Sequence, residues 1–192
     1  MIRIPVSLIA AALALLAENG IAAEFQVDQT ASNRVGFTSQ TTLDNFAGET
    51  NRIDGYILFA GSDSLAASEI HLEVELDQLD TGISLRNRHM RENSLETDKY
   101  PLAVFHGKAT AVRQDAPDHY LVTATGTLTL HGQEKELNVT AAVQVSGRQA
   151  RIETEFSVRL ADYNIRVPKV MFLKVNEIIP VKVDFTIVQV NP

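Results

Sequence analysis

The chain of 192 residues contains no cysteine and no tryptophan. The first absence excludes a disulfide framework, thiolate catalysis and dithiol redox chemistry, so the fold must rest on a hydrophobic core. Positive charge is also scarce: 17 Lys and Arg stand against 24 Asp and Glu, a formal net charge of -7. That balance argues against nucleic acid and anionic membrane surfaces as primary partners, since both reward a positive footprint. No apolar run beyond the N-terminal segment approaches the ~20 residues of a membrane-spanning helix. Catalytic signatures are missing too. There is no G-x-S-x-G elbow, P-loop, dinucleotide fingerprint or H-E-x-x-H motif, and no paired-carboxylate arrangement is indicated. The 5 histidines (His71, His89, His106, His119 and His131) lack close ligand spacing. His71, flanked by Glu69 and Glu73, is the one conceivable zinc pair, and an ordinary solvated strand face is the preferred reading of it. No catalytic residue, metal or cofactor is therefore assigned.

What is present begins with an address. Met1-Ile2-Arg3 precedes an apolar run, Val6 to Ala17, in which Ser7 is the only polar residue; Glu18-Asn19-Gly20 and the small residues Ile21-Ala22-Ala23 follow. This reads as a secretory signal peptide, residues 1–23, with cleavage after Ala22 or Ala23. Arg3 and Glu18 cancel, so the remaining single domain, 24–192, keeps the net charge of -7. A cysteine-free exported domain without a later membrane span suits the bacterial periplasm, without stable membrane insertion.

Period-two alternation dominates that domain and marks half-buried strands. Ile70, Leu72, Val74 and Leu76 alternate with Glu69, His71, Glu73 and Glu75. The pattern recurs with Leu137 to Val145, with Ile152, Phe156, Val158 and Leu160, and with Ile179 to Ile187. Between Tyr120 and Leu130 a face of Thr123, Thr125, Thr127 and Thr129 opposes an apolar one. Shorter strands are expected over 25–28, 34–39, 53–59 and 102–112, giving eight or nine in all. Tight hairpins are expected at 131–134 and 146–148, an irregular stretch over 161–168 and a short helix around 84–93. The class is all-β. Long strands joined by consecutive hairpins favour an antiparallel barrel over a sandwich. Inner faces mixing Phe37, Phe105, Phe156 and Phe185 with Ala124, Gly126 and Ala141 fit either a ligand cavity or a solid core.

The most unusual polar cluster is Arg86, Arg88, His89 and Arg91. It either faces an anionic head group at the barrel mouth or forms a solvated helix whose arginines pair with Glu92, Glu96 and Asp98, with Leu85 and Met90 seating it.

Three stretches together resemble the YceI-like family of periplasmic polyisoprenoid-binding proteins. The first is Val27-Asp28 with Ser32, Val35, Phe37, Gly48 and Gly55. The second is Leu79-Asp80-Thr81-Gly82, Arg86, His89-Met90-Arg91 and Lys99-Tyr100-Pro101-Leu102-Ala103-Val104-Phe105. The third is Gly126-Thr127-Leu128-Thr129-Leu130-His131-Gly132. The resemblance implies an eight-stranded, lipocalin-like antiparallel barrel whose interior takes up an isoprenoid chain of a quinone or polyprenyl lipid. On that reading Phe37, Val74, Phe105, Leu128, Val143, Phe156 and Phe185 line the barrel, with Met171 and Phe172 near the mouth. Arg86, Arg88, His89 and Met90 supply head-group or lid contacts. Asn87 departs from the family's usual Asp, Ala31 from its histidine, and the segment 158–172 from its Asn-Arg-Ser-Asp-Phe-Gly motif. The implied function is a carrier of apolar lipid; alternatives are an interaction or stress-protection module with a solid core, and a metal-assisted hydrolase using His71 or His131. Pairing with a second copy of the chain is left open.

Overall fold

A computed structural model describes residues 23–40, 45–59, 68–166, 169–170, 173–174 and 176–190. Met171 and Phe172 lie outside the described residues. The strands are β1 (Ala23–Val27), β2 (Arg34–Gln40), β3 (Asn45–Thr50), β4 (Ile53–Phe59), β5 (Ser68–Glu75), β6 (Leu102–Ala116), β7 (His119–Leu130), β8 (Gln133–Ser146), β9 (Gln149–Arg159), β10 (Lys169–Val170), β11 (Leu173–Lys174) and β12 (Ile178–Gln189). Among the described residues one α-helix, α1 (Ser84–His89), continues into a wider turn over Met90–Ser94, where a short helix was expected.

Ten of these segments form one antiparallel sheet that closes on itself. β12 accepts two partners in tandem along one edge: β1 opposite its end (Val27 against Ile187) and β2 opposite its beginning (Phe37 against Val181). β4 and β3 then pair with β1 and β2 in turn. The two broken pairs act as two staves, and with β5, β6, β7, β8, β9 and β12 they make a closed eight-stranded barrel. The break between β1 and β2 is stitched by side chains. Asn33 donates from Nδ2 to the Asp28 carbonyl at 2.9 Å and accepts from the Thr186 N–H at 3.0 Å, which supplies the ladder bonds the bend removes. β3 was not expected from the sequence, and Leu160 leaves the expected strand to open a 3₁₀ turn, Leu160–Tyr163.

Burial along the inward faces varies with height. At one end Phe25, Tyr120, Ala150, Ile152, Phe185 and Ile187 pack into a solid floor in which Phe25 is 0% exposed. At the other end Leu76, Leu79, Leu130, Tyr163 and Ile165 form a second cluster, joined by Met90 and Leu95 from the segment after β5. That segment is a cap, and it is held by polar groups. Asn87 is its hub: its Oδ1 accepts from the Thr81 N–H (2.9 Å) and hydroxyl (2.6 Å), and its Nδ2 donates to Asp80 Oδ1 at 2.6 Å. Asp80 also accepts from the Gly82 N–H at 2.8 Å and exchanges backbone bonds with Glu49. On the far side Tyr100 lies against His131, ring centroids 4.6 Å apart, and over Gly132. The hairpin there turns at His131 and Gly132, with φ of 51° and 70°, as a two-residue primed turn requires. The family-like stretches around Asp80, Tyr100 and His131 are thus the framework of the cap.

Between floor and cap, Gly107 and Gly126 face each other on β6 and β7. A Cβ at either would lie 2.8 Å from Phe105 Cζ, so the Phe105 ring is folded flat over both glycines and along the wall. The room that Gly126 was expected to leave in the interior is filled by this ring. A Cβ there would also stand 2.3 Å from the His106 carbonyl oxygen. Gly126→Ala is expected to lower stability by about 1–3 kcal/mol in urea unfolding; an unchanged midpoint would contradict this packing.

Hydrogen bonds from Asn87 and then from the Gly82 N–H, with the Arg91 charge behind them, hold Asp80 below its ordinary 3.8. A carboxylate lowered by folding stabilises above its unfolded pKa, and that contribution disappears as pH falls through the lower folded value. Asn87→Asp removes the chief donor and adds a like charge, so the Asp80 midpoint should rise, as carboxyl-carbon NMR titration would show. A lower or unmoved midpoint would refute the hub role of Asn87.

Candidate functional site

The inward face changes from packed to accessible midway up the barrel. On β5 Ser68 and Ile70 are buried, Leu72 and Val74 only half-buried, and Leu76 beyond the strand buried again. β9 repeats this: Val158 is buried at the cap, Phe156 and Thr154 are half-buried, and Ile152 and Ala150 are buried at the floor. On β12 the same sequence runs Ile179, then Val181 and Val183, then Phe185 and Ile187. Leu137, Val139 and Ala141 on β8 are also half-buried. Backbone pairing sets Ala141 beside Val122 and Thr154, and Thr154 beside Val183. Between two buried layers the inward residues thus keep accessible surface, and that middle layer is almost wholly hydrocarbon.

The expected lining residues divide by height. Val74, Phe105 and Phe156 lie at the half-buried middle level, and Phe37 is half-buried over Gly48, where a Cβ would stand too close to its ring. Val143 and Phe185 face inward but belong to the floor, packed with Tyr120 and Ile152. Leu128 is buried in the cap cluster. Alternation had fixed their face, and depth decides whether a face residue is wall or floor.

The expected basic cluster is split between two faces of α1. Arg86 turns inward: its Nε donates to Thr81 Oγ1 at 2.9 Å, its Nη2 donates to the Thr81 carbonyl at 2.7 Å, and its guanidinium lies 4.4 Å from the Phe46 ring centroid. Arg91 donates to the Leu79 carbonyl at 3.3 Å. These two arginines brace the cap, and neither pairs with Glu92, Glu96 or Asp98 among the described residues. Glu96 instead meets Lys99 at 3.1 Å, and hydrogen bonding and charge from Lys99, then His131 and Arg166, hold its carboxyl below the ordinary range. Met90 seats the cap as expected, but Leu85 does not: it is 54% exposed, and Leu95 takes that place. Arg88 and His89 are exposed.

On the outer wall Tyr56, His71 and His106 stand in one cross-strand row. Tyr56 donates to Glu69 at 2.7 Å, which raises the phenol pKa, and His71 Nε2 lies 2.9 Å from Glu73. Among the described residues no three His, Asp or Glu side chains are arranged to hold a metal ion. His131, the other histidine weighed for chemistry, sets its Nδ1 2.9 Å from the Tyr163 carbonyl oxygen, and its ring is fixed under Tyr100. No described helix is long and apolar enough to cross a membrane.

Comparison with known proteins agrees with this architecture. The chain is 28% identical over 165 residues to Protein YceI of Escherichia coli O157:H7, covering 81% of this chain and 83% of that one. It is likewise 28% identical to the UPF0312 protein plu2095 of Photorhabdus laumondii, covering 83% and 84%. Among solved structures, a polyisoprenoid binding domain from Saccharophagus degradans implicated in plant cell wall breakdown superposes with a TM-score of 0.69 at 21% identity, covering 86% of this chain and 98% of that one. BcnA of Burkholderia cenocepacia gives 0.67 at 18% identity, covering 83% and 98%. The YceI-like domain pattern matches residues 25–187, and the chain therefore belongs to the YceI-like domain family.

Proposed function

We propose that this protein is a periplasmic carrier that holds one apolar, isoprenoid-type lipid, such as a quinone or polyprenyl chain, in its lumen. The observation that carries this reading is the accessible apolar layer formed by Leu72, Val74, Val139, Ala141, Phe156 and Val183 between the buried floor and cap. A hydrocarbon chain placed there gains about 25 cal/mol for each Å² of apolar surface removed from water. With few polar groups facing the middle layer, selection acts on length and girth more than on directional bonds. The fold shared with a polyisoprenoid binding domain supports the same class of ligand. Binding without chemistry is the corresponding activity; Arg86 and His131 serve as framework.

The N-terminal segment supports export, and the burial of Ala23 favours the earlier of the two cleavage positions. Ala23 is buried in the floor and paired with Phe59. Cleavage after Ala22 leaves this residue in place, whereas cleavage after Ala23 removes it.

Native mass spectrometry and solvent extraction of protein purified from the periplasm should reveal a bound lipid. Ala141→Phe, which projects a ring into the middle layer, should reduce occupancy at least roughly tenfold while the barrel stays folded. Gly126 is unsuitable for this test, since its side-chain space is already filled by Phe105. Protein that carries no lipid and fails to take up added quinone would refute the proposal.

A further inference from the structure

The outward face of α1 inverts the usual rule for a surface helix. A helix on a barrel rim ordinarily buries its apolar side chains and shows polar ones to water. Here Arg86, Asn87, Met90 and Arg91 turn toward the cap, and the polar three are held by hydrogen bonds. Ile83 and Leu85 are left outside, 51% and 54% exposed. Leu85 is three and four residues from Arg88 and His89, so the three share one face. Among the described residues neither Arg88 nor His89 takes part in an ion pair, and no acidic residue occurs between Thr81 and Arg91. The flanking acids in the sequence are Asp80, bonded to Asn87 and Gly82, and the exposed Glu92, which is four residues from Arg88 and three from His89 and sets one negative charge at the C-terminal edge of this face.

We propose that Ile83, Leu85, Arg88 and His89 form a docking point for the surface of an anionic phospholipid bilayer, at the capped end of the lumen. This rests on the carrier reading above and names the surface with which cargo is exchanged. Two apolar side chains beside two basic ones match the two layers of a membrane interface: hydrocarbon just beneath, anionic head groups around it. A protein partner fits less well, because one exposed helix of six residues falls far below the roughly 800 Å² per partner of a stable interface. The net charge of -7, which argues against a broad anionic-membrane footprint, confines this contact to a local one, since charges more than about 8 Å away are largely screened at physiological salt. So small an anchor binds weakly and lets go, as a carrier that visits a membrane must.

The test is flotation of the exported protein with vesicles of mixed phosphatidylglycerol and phosphatidylethanolamine, and separately of phosphatidylcholine, at low and physiological salt. Salt-sensitive binding to the anionic vesicles is expected, weakened roughly tenfold by the double change Ile83→Ser and Leu85→Ser, and again by Arg88→Glu. Both serine positions are exposed, so thermal unfolding and lipid occupancy of that double variant should match the parent. Equal or no binding to the two vesicle types, or variants that bind like the parent, would overturn the docking proposal. So would capture of a protein through Leu85 by a chain that ignores vesicles. Occupancy measured on the same samples separates the two readings: loaded protein that ignores vesicles defeats docking alone, and empty protein that binds them defeats the carrier reading alone.

Discussion

Closure of the sheet through β12 is the constraint on which everything else depends. Its single edge carries both β1 and β2, so that backbone groups on the first and last staves find partners and no long open edge remains. With no cysteine to hold the ends together, this pairing and the floor beneath it replace covalent bracing. Phe25 on β1 and Phe185 and Ile187 on β12 lie on either side of the seam and are at most 2% exposed, which places close packing where the barrel must not open.

A tight floor allows the middle to be loose. Leaving hydrocarbon walls incompletely packed costs dispersion energy, and the solid layer below and the polar-braced layer above offset that cost. Phe105 shows how the wall is kept thin: two glycines opposite one another let its ring lie flat rather than cross the barrel interior. The cap uses different chemistry. Asn87, Arg86 and Asp80 are tied by hydrogen bonds rather than by apolar burial, so the segment over this end of the barrel is joined to it in part by groups that water can also satisfy.

Much of this was legible in the sequence, and the failures have physical reasons. Alternation identifies the face of a strand, so Val74, Phe105, Phe156 and Phe185 were all correctly placed inward. It carries no information on height, which is why Phe185 and Val143 were grouped with the accessible wall although they form the floor. β3 escaped notice because Asn-Phe-Ala-Gly-Glu-Thr has no regular alternation and is held by its pairing with β2. The helix was found near its true position, but its orientation was not. Hydrophobicity pointed to Leu85 as the seat, whereas hydrogen bonds to Asn87 and Arg86 turn that residue outward. The space ascribed to Gly126 depended on where a neighbouring strand's phenylalanine puts its ring, which a linear pattern does not contain.

The central claim is that the middle layer of the barrel holds hydrocarbon. Isotope-filtered NMR on methyl-labelled protein carrying its co-purified or added isoprenoid tests it most directly. The account predicts cross-peaks from ligand protons to Leu72, Val74, Val139, Ala141 and Val183 and none to the floor methyls of Ala150 and Ile187. Cross-peaks confined to outer-surface residues, or none to the middle layer, would contradict it.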